Sequence, residues 1–195
     1  MSHETVKSGL RSVAFTVPTP FDEDGENVRY DTHKENVRAI ENAGADLFVP
    51  CGNTGEYYSL SHAERTNVVE ATVEAVDGSS TVVAGAGGST KTVTQLLDTY
   101  ESIGVDAGMI MHPSHTYLHE EGIQQYYEEI VDAADIPIVL YKRGPELSDA
   151  TIARLAQREH VVGVKYAVND VKAFSKATAT TDADLVWING IAERF

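Results

Sequence analysis

Three groups of residues in this sequence combine types and spacing that can do chemistry. Lys165 closes the apolar run Val161-Val-Gly-Val. A lysine at such a place loses solvation, which lowers the pKa of its amine, and a neutral amine is what a Schiff-base nucleophile needs. The same lysine can also stand at a rim, solvated or ion-paired. Tyr141 closes the run Ile138-Val-Leu. A phenol there can move protons to and from a carbinolamine, or pack its ring against a neighbouring loop. The third group is Gly52-Asn53-Thr54-Gly55-Glu56. Two glycines allow close backbone approach, consecutive N–H groups can cradle an anion, and Thr54 adds a hydroxyl. A substrate carboxylate is the natural guest, and a tight turn that needs glycine for geometry is the structural alternative.

These groups need elements that bring them together. Apolar, β-rich runs at 12–17, 46–51, 81–84, 107–111, 137–141, 161–165 and 185–189 predict seven strands. Amphipathic stretches at 31–43, 61–76, 90–103, 120–133, 148–157 and 169–178 predict helices between them. Ser61-His-Ala-Glu64 is a capping box, Gly104 is a helix stop and Ser148 is a helix cap. From the second strand on, strand starts recur about every 24 to 35 residues, the spacing of a βαβ unit. Strands that read as continuous apolar runs are buried on both faces, as in a parallel sheet. The first strand runs into Val17-Pro-Thr-Pro-Phe, which is no dinucleotide-binding loop, so a (β/α)8 barrel is favoured over an open doubly wound sheet. A barrel takes about 250 residues, whereas this chain has 195 and stops after strand seven at Ala192-Glu-Arg-Phe195. The expectation is one domain over 1–195, an incomplete barrel of about seven βα units whose eighth strand is missing. In a barrel the reactive groups sit at the C-terminal strand ends, which here read Thr16, 52–56, 85–88, His112-Pro113, Tyr141, Lys165 and Asn189-Gly190.

Composition narrows the partners. Thirty acidic side chains oppose 15 basic ones, a net charge of −15. Nucleic acid and anionic membrane surfaces are poor partners for such a chain, because phosphate binding needs cationic surface. With only seven lysines among the bases, the balance predicts a surface adapted to high salt, where self-repulsion is screened. The longest apolar runs, such as 136–141, are strand-sized, and the N-terminus has no basic start followed by an apolar stretch. One cysteine, Cys51, excludes an internal disulfide and a cysteine zinc cluster. A cytoplasmic location is expected, with Cys51 a packing residue.

The glycine loop at 52–56, the tyrosine closing strand five and Val162-Gly-Val-Lys165 together resemble the dihydrodipicolinate synthase/N-acetylneuraminate lyase family, in the right order from about Ser12 to Phe195. The resemblance implies class I lyases on a (β/α)8 barrel, usually homotetramers, with no cofactor and a small-molecule 2-oxo acid as substrate. It implies that Lys165 forms the imine, that Tyr141 transfers protons, and that Gly52, Asn53, Thr54 and Gly55 hold the substrate carboxylate. The lysine-biosynthetic synthases show two threonines where this chain has Asn53-Thr54. After the strand-five tyrosine they show asparagine, then proline and a carboxylate-holding arginine; here the stretch reads Tyr141-Lys-Arg-Gly-Pro-Glu-Leu-Ser148, with Arg143 near that place. Where the family often has Pro-Tyr-Tyr, this chain has His112-Pro-Ser-His-Thr-Tyr117, which leaves Tyr117 a candidate substrate contact. The loop at 52–60 is closer to the sugar-acid branch, the 5-dehydro-4-deoxyglucarate dehydratases and 2-keto-3-deoxygluconate aldolases. Dehydration or aldol cleavage of a keto-deoxy sugar acid is therefore the first expectation, and condensation of pyruvate with an aldehyde the second.

Two readings of other classes stand beside these. His112, His115 and His119 cluster after strand four and can hold a divalent ion, which would make a metal-dependent lyase. Gly85-Ala-Gly-Gly-Ser-Thr90 leads into a helix and can bind phosphate, but it lacks the Gly-Lys-Ser/Thr ending of a P-loop, and a βα turn is the plainer reading. A truncated barrel can also be a non-catalytic remnant.

Overall fold

The structure, a computed structural model, describes residues 2–76, 78–114 and 117–191. The chain opens with helix α1 (His3–Leu10), capped by Ser2. Strand and helix then alternate: β1 (Ala14–Phe15), α2 (Tyr30–Asn42), β2 (Leu47–Phe48), α3 (His62–Ala75), β3 (Thr81–Gly87), α4 (Thr90–Ile103) and β4 (Ala107–Met111). There follow α5 (Glu120–Ala133), β5 (Ile138–Lys142), α6 (Asp149–Leu155), β6 (Val161–Tyr166), α7 (Val171–Thr180) and β7 (Val186–Asn189). The seven strands form one sheet in chain order, every neighbouring pair parallel. The sheet curls: Ala14 and Thr16 at one end line the same cavity of about 380 Å³ as residues 186–190 at the other. This is the parallel α/β barrel architecture, with seven strands among the described residues.

The expected caps are present. The Ser61 hydroxyl accepts from the Glu64 N–H, and the Glu64 carboxylate accepts from the Ser61 N–H at 2.8 Å. Gly104 ends α4, and Ser148 caps α6. The strand walls are apolar on both faces, with every residue of β3, β4 and β5 buried. A second cluster, Val17, Val37, Ala45, Phe48 and Ala75, seals α2 and α3 against β2.

Several elements depart from the sequence expectation. The first two strands have two residues each; β2 stops early because Pro50 offers no N–H to a ladder and Cys51 turns the chain away with φ 53°. Strand β3 runs on to Gly87, so Gly85–Ala86–Gly87 is ladder and not a phosphate turn; Gly85 pairs with Met109 and Gly87 with Met111. Helix α1 was not anticipated, since eight residues carry little periodicity; its Leu10 side chain reaches toward Gly163 inside the sheet. Helix α7 starts at Val171, two residues later than expected, because Asp170 caps it. The β5–β6 ladder shifts by one residue: Ile138 pairs with Val161, but Val139 pairs with Gly163. Val162 is thus the extra residue of a bulge.

Candidate active site

Side chains alternate across a strand, so residues in register share a face. Tyr141 pairs with Lys165, and both face the interior of the curled sheet. The Lys165 amine stands 4.6 Å from the centre of the Tyr141 ring. Arg143, two residues on and on the same face, places its guanidinium 5.8 Å from the centre of that ring and donates to the His112 carbonyl at 2.7 Å. Residues one step along point outward. Lys142 lies under α6, where it donates to the Leu147 carbonyl and stands 3.5 Å from the Asp149 carboxylate, with its amine 5.6 Å from the Tyr166 ring.

The two lysines therefore differ in chemistry. Lys142 is the more buried, but its amine donates to a carbonyl and is ion-paired with a carboxylate. Lys165 has no ion pair among the described residues, and burial alone lowers its pKa below the ordinary lysine value. Desolvation without a compensating anion favours the neutral, nucleophilic amine. It also carries a stability consequence. Because the folded pKa lies below the unfolded one, the unfolded chain binds more protons between the two, and stability rises with pH through that window toward 10.5. Lys165→Met removes the cost of burying the ammonium, so its melting temperature at pH 7 should exceed the parent's, with the gap closing as pH rises. Thermal unfolding at pH 7 and pH 10 measures this; equal gaps would show an ordinary amine.

The loop between β2 and α3 lies over the C-terminal end of the sheet. The Gly85 N–H donates to the Pro50 carbonyl at 2.9 Å, and Gly52 approaches the Met109 side chain. Cys51 and Glu56 both take left-handed backbone, φ 53°, unusual for residues with a Cβ. The Thr19 hydroxyl holds the loop through the Gly55 carbonyl at 2.8 Å, and Arg65 holds its far end through the Leu60 carbonyl at 3.1 Å. Gly52 and Gly55 are buried, while Asn53 and Thr54 are exposed. The N–H groups of Asn53, Thr54 and Gly55 have no acceptor among the described residues. Consecutive free donors beside an exposed hydroxyl can bind an anion.

The structure thus joins Lys165 to Tyr141 and sets the 52–55 loop at the same end of the sheet. It does not bring Tyr117 to them: Tyr117 is 86% exposed and lines neither the cavity beside Lys165 nor that beside Arg143. The histidine cluster is not assembled among the described residues. The His112 Nδ1 lies 3.1 Å from the Tyr127 hydroxyl, His119 caps α5, and His115 lies outside the described residues. No group of three or more metal-ligating side chains occurs among the described residues. Cys51 is fully buried, and burial pushes its thiol up to about 12, which leaves it protonated and inert. Sequence reasoning missed Tyr57 and Arg65. Arg65 bridges the loop to the sheet, donating to the Gly87 carbonyl at 2.9 Å, and its guanidinium lies 5.4 Å from the Tyr57 ring.

The curled parallel sheet thus presents a desolvated lysine and a tyrosine in register at its C-terminal strand ends. A sequence profile of the dihydrodipicolinate synthetase family matches residues 10–195, and the chain belongs to that family. The 4-hydroxy-tetrahydrodipicolinate synthase of Methanopyrus kandleri is 35% identical over 181 residues, 90% of this chain and 60% of that protein. The crystal structure of the dihydrodipicolinate synthase from Bacillus clausii superposes with a TM-score of 0.89 at 37% identity, over 93% of this chain and 62% of that one. A chloride-inhibited dihydrodipicolinate synthase from Acinetobacter baumannii, solved with pyruvate, superposes with a TM-score of 0.85 at 26% identity, over 91% of this chain and 62% of that one. The chain spans about three fifths of the length of the curated relatives it matches. No helix among the described residues is long and apolar enough to cross a membrane.

Proposed function

We propose that this chain carries the imine-forming site of a class I lyase that condenses pyruvate with an aldehyde. The observation that carries the reading is the unpaired, desolvated amine of Lys165, 4.6 Å from the Tyr141 ring. The neutral amine attacks the carbonyl of pyruvate, and loss of water gives a protonated imine. That cation draws electrons from the adjacent carbon, whose proton leaves to form an enamine, and the enamine adds to the aldehyde. Tyr141 moves the protons of carbinolamine and enamine formation. Gly52, Asn53, Thr54 and Gly55 hold the pyruvate carboxylate in register. The aldehyde has room in the open cavity of about 710 Å³ lined by His112, Ser114, Arg143 and Glu146.

The loop at 52–60 reads closer to the sugar-acid branch, yet curated relatives matching along about nine tenths of the chain carry the synthase name. Likeness over the whole chain outweighs one loop, so condensation is preferred over cleavage or dehydration of a keto-deoxy sugar acid. The reading includes a cytoplasmic, salt-adapted homotetramer, and assays are accordingly set in molar KCl.

Incubation with pyruvate, borohydride reduction and peptide mass spectrometry should find the adduct on Lys165. Pyruvate with an amino-acid aldehyde, whose amine can close the nitrogen ring that the relatives are named for, should yield a cyclic product. Turnover of a keto-deoxy sugar acid without such a product would reverse the preference. Tyr141→Phe should still form the trapped imine, at a rate lower by about a hundredfold. Unchanged trapping kinetics, followed by quenched flow, would remove Tyr141 from the proton path.

A further inference from the structure

Burial pushes the Tyr141 phenol above its ordinary pKa. Its phenolate is therefore scarce, and Tyr141 can take a proton from a substrate only if its own leaves at the same time. The surroundings show where that proton can go. Three other phenols at this end of the sheet point their hydroxyls at backbone carbonyls. Tyr100 donates to Gly85 at 3.1 Å, Tyr126 lies 3.1 Å from the Gly88 carbonyl, and Tyr127 lies 3.5 Å from the Ile110 carbonyl. Tyr57 is different. It is 9% exposed, and its hydroxyl has no hydrogen-bond partner among the described residues.

Register places that hydroxyl. Gly87 pairs with Met111, Ile110 pairs with Leu140, and Tyr141 pairs with Lys165. Gly87, Met111, Tyr141 and Lys165 therefore form one layer across four strands. The Tyr57 ring fills the space above Gly87: a Cβ there would stand 2.6 Å from Tyr57 Cε2 and 3.3 Å from its Oη. Gly87 and Tyr141 lie two strands apart, about 10 Å, with the Tyr57 ring over the first and the Tyr141 side chain rising from the second. Arg65 fixes the ring from behind. Tyr57 acts on the Tyr126, Tyr127 and Tyr141 phenols alike, raising each, so it stands among all three.

We propose that Tyr57 is the second proton carrier of this site, receiving through one water the phenolic proton that Tyr141 releases as it deprotonates the imine. The inference rests on the imine reading of Lys165. The C3–H bond of the protonated imine breaks, and its electrons form the C2=C3 bond of the enamine and neutralise the iminium. The proton goes to Tyr141 Oη, the former Tyr141 proton passes to Tyr57 Oη, and the Tyr57 proton leaves to solvent water. Neither phenol is left charged.

The test is exchange of the pyruvate methyl protons in D2O, followed by proton NMR on the 195-residue chain in molar KCl, beside the borohydride trap. Tyr57→Phe keeps the ring over Gly87 and should trap pyruvate as the parent does, while exchange falls about a hundredfold. Tyr58→Phe, on the exposed neighbour, should leave both unchanged. The parent's rate against deuterium fraction should bow, as expected for several protons in flight, and the plot should straighten in Tyr57→Phe. Exchange in Tyr57→Phe within about twofold of the parent, with trapping intact, would overturn the relay and leave the imine standing. A linear plot for the parent would do the same without any variant. No adduct on the parent's Lys165 would overturn both.

Discussion

Lys165→Ala is expected to abolish the pyruvate adduct and to lower turnover by roughly ten-thousandfold or more, the scale seen when a covalent nucleophile is removed. The size follows from the absence of a substitute. Lys142 follows Tyr141 on β5, beside the strand that carries Lys165, but it faces α6, donates to the Leu147 carbonyl and is ion-paired with Asp149. No amine other than Lys165 was found at the Tyr141 ring among the described residues. Lys165→Arg should fail equally, because a guanidinium stays protonated and cannot attack a carbonyl. Mass spectrometry after borohydride reduction, with circular dichroism to confirm the fold, settles the outcome. A variant that keeps parental turnover would end the imine reading.

Gly85→Ala is expected to have the largest structural effect. An added Cβ would stand 2.0 Å from the Cys51 carbonyl oxygen and 3.1 Å from the Gly52 nitrogen. Both obstacles are backbone, so no rotamer change relieves them. The loop between β2 and α3 must lift, or β3 must shift away from it. Forcing a methyl group into a packed interior commonly costs about 1 to 3 kcal/mol, and a backbone obstacle sets the upper end of that range. Pyruvate trapping should fall with it, since the same loop is proposed to hold the pyruvate carboxylate. Gly122→Ala is the control: nothing lies within 4 Å of its missing Cβ, and alanine within α5 should be neutral or stabilise by about 0.5 to 1 kcal/mol. Thermal melts of the two variants beside the parent give the comparison, and a Gly85→Ala melt at the parental temperature would mean that the loop does not rest on the sheet.

What was legible in the sequence was what local order determines. Lys165 and Tyr141 each close an apolar run, and a run's end in a barrel is its open face, so both could be found without a structure. Caps such as Ser61 with Glu64 are legible for the same reason: they lie three residues apart. Tyr57 was not legible. Its place depends on the side chain that Gly87 lacks, thirty residues downstream, and on the β3–β4 register that carries Gly87 into the Tyr141 layer. The glycines at 85–87 misled for a related reason. Glycine usually marks a turn, but here it sits in a strand to admit another segment's backbone and ring. Tyr117 was suggested by its position after strand four, and it stands at the surface.

The bulge at Val162 sets the phase of everything after it. Val161, paired with Ile138, faces the helices; strict alternation from there would turn Lys165 outward and bring Tyr166 inside. The extra residue inverts that order, so an amine and not a phenol meets Tyr141. A change of one codon's length in this strand is therefore no neutral drift in size. It decides which functional group the barrel presents, and a lineage that lost the bulge while keeping every other residue could hold the scaffold and forfeit the nucleophile.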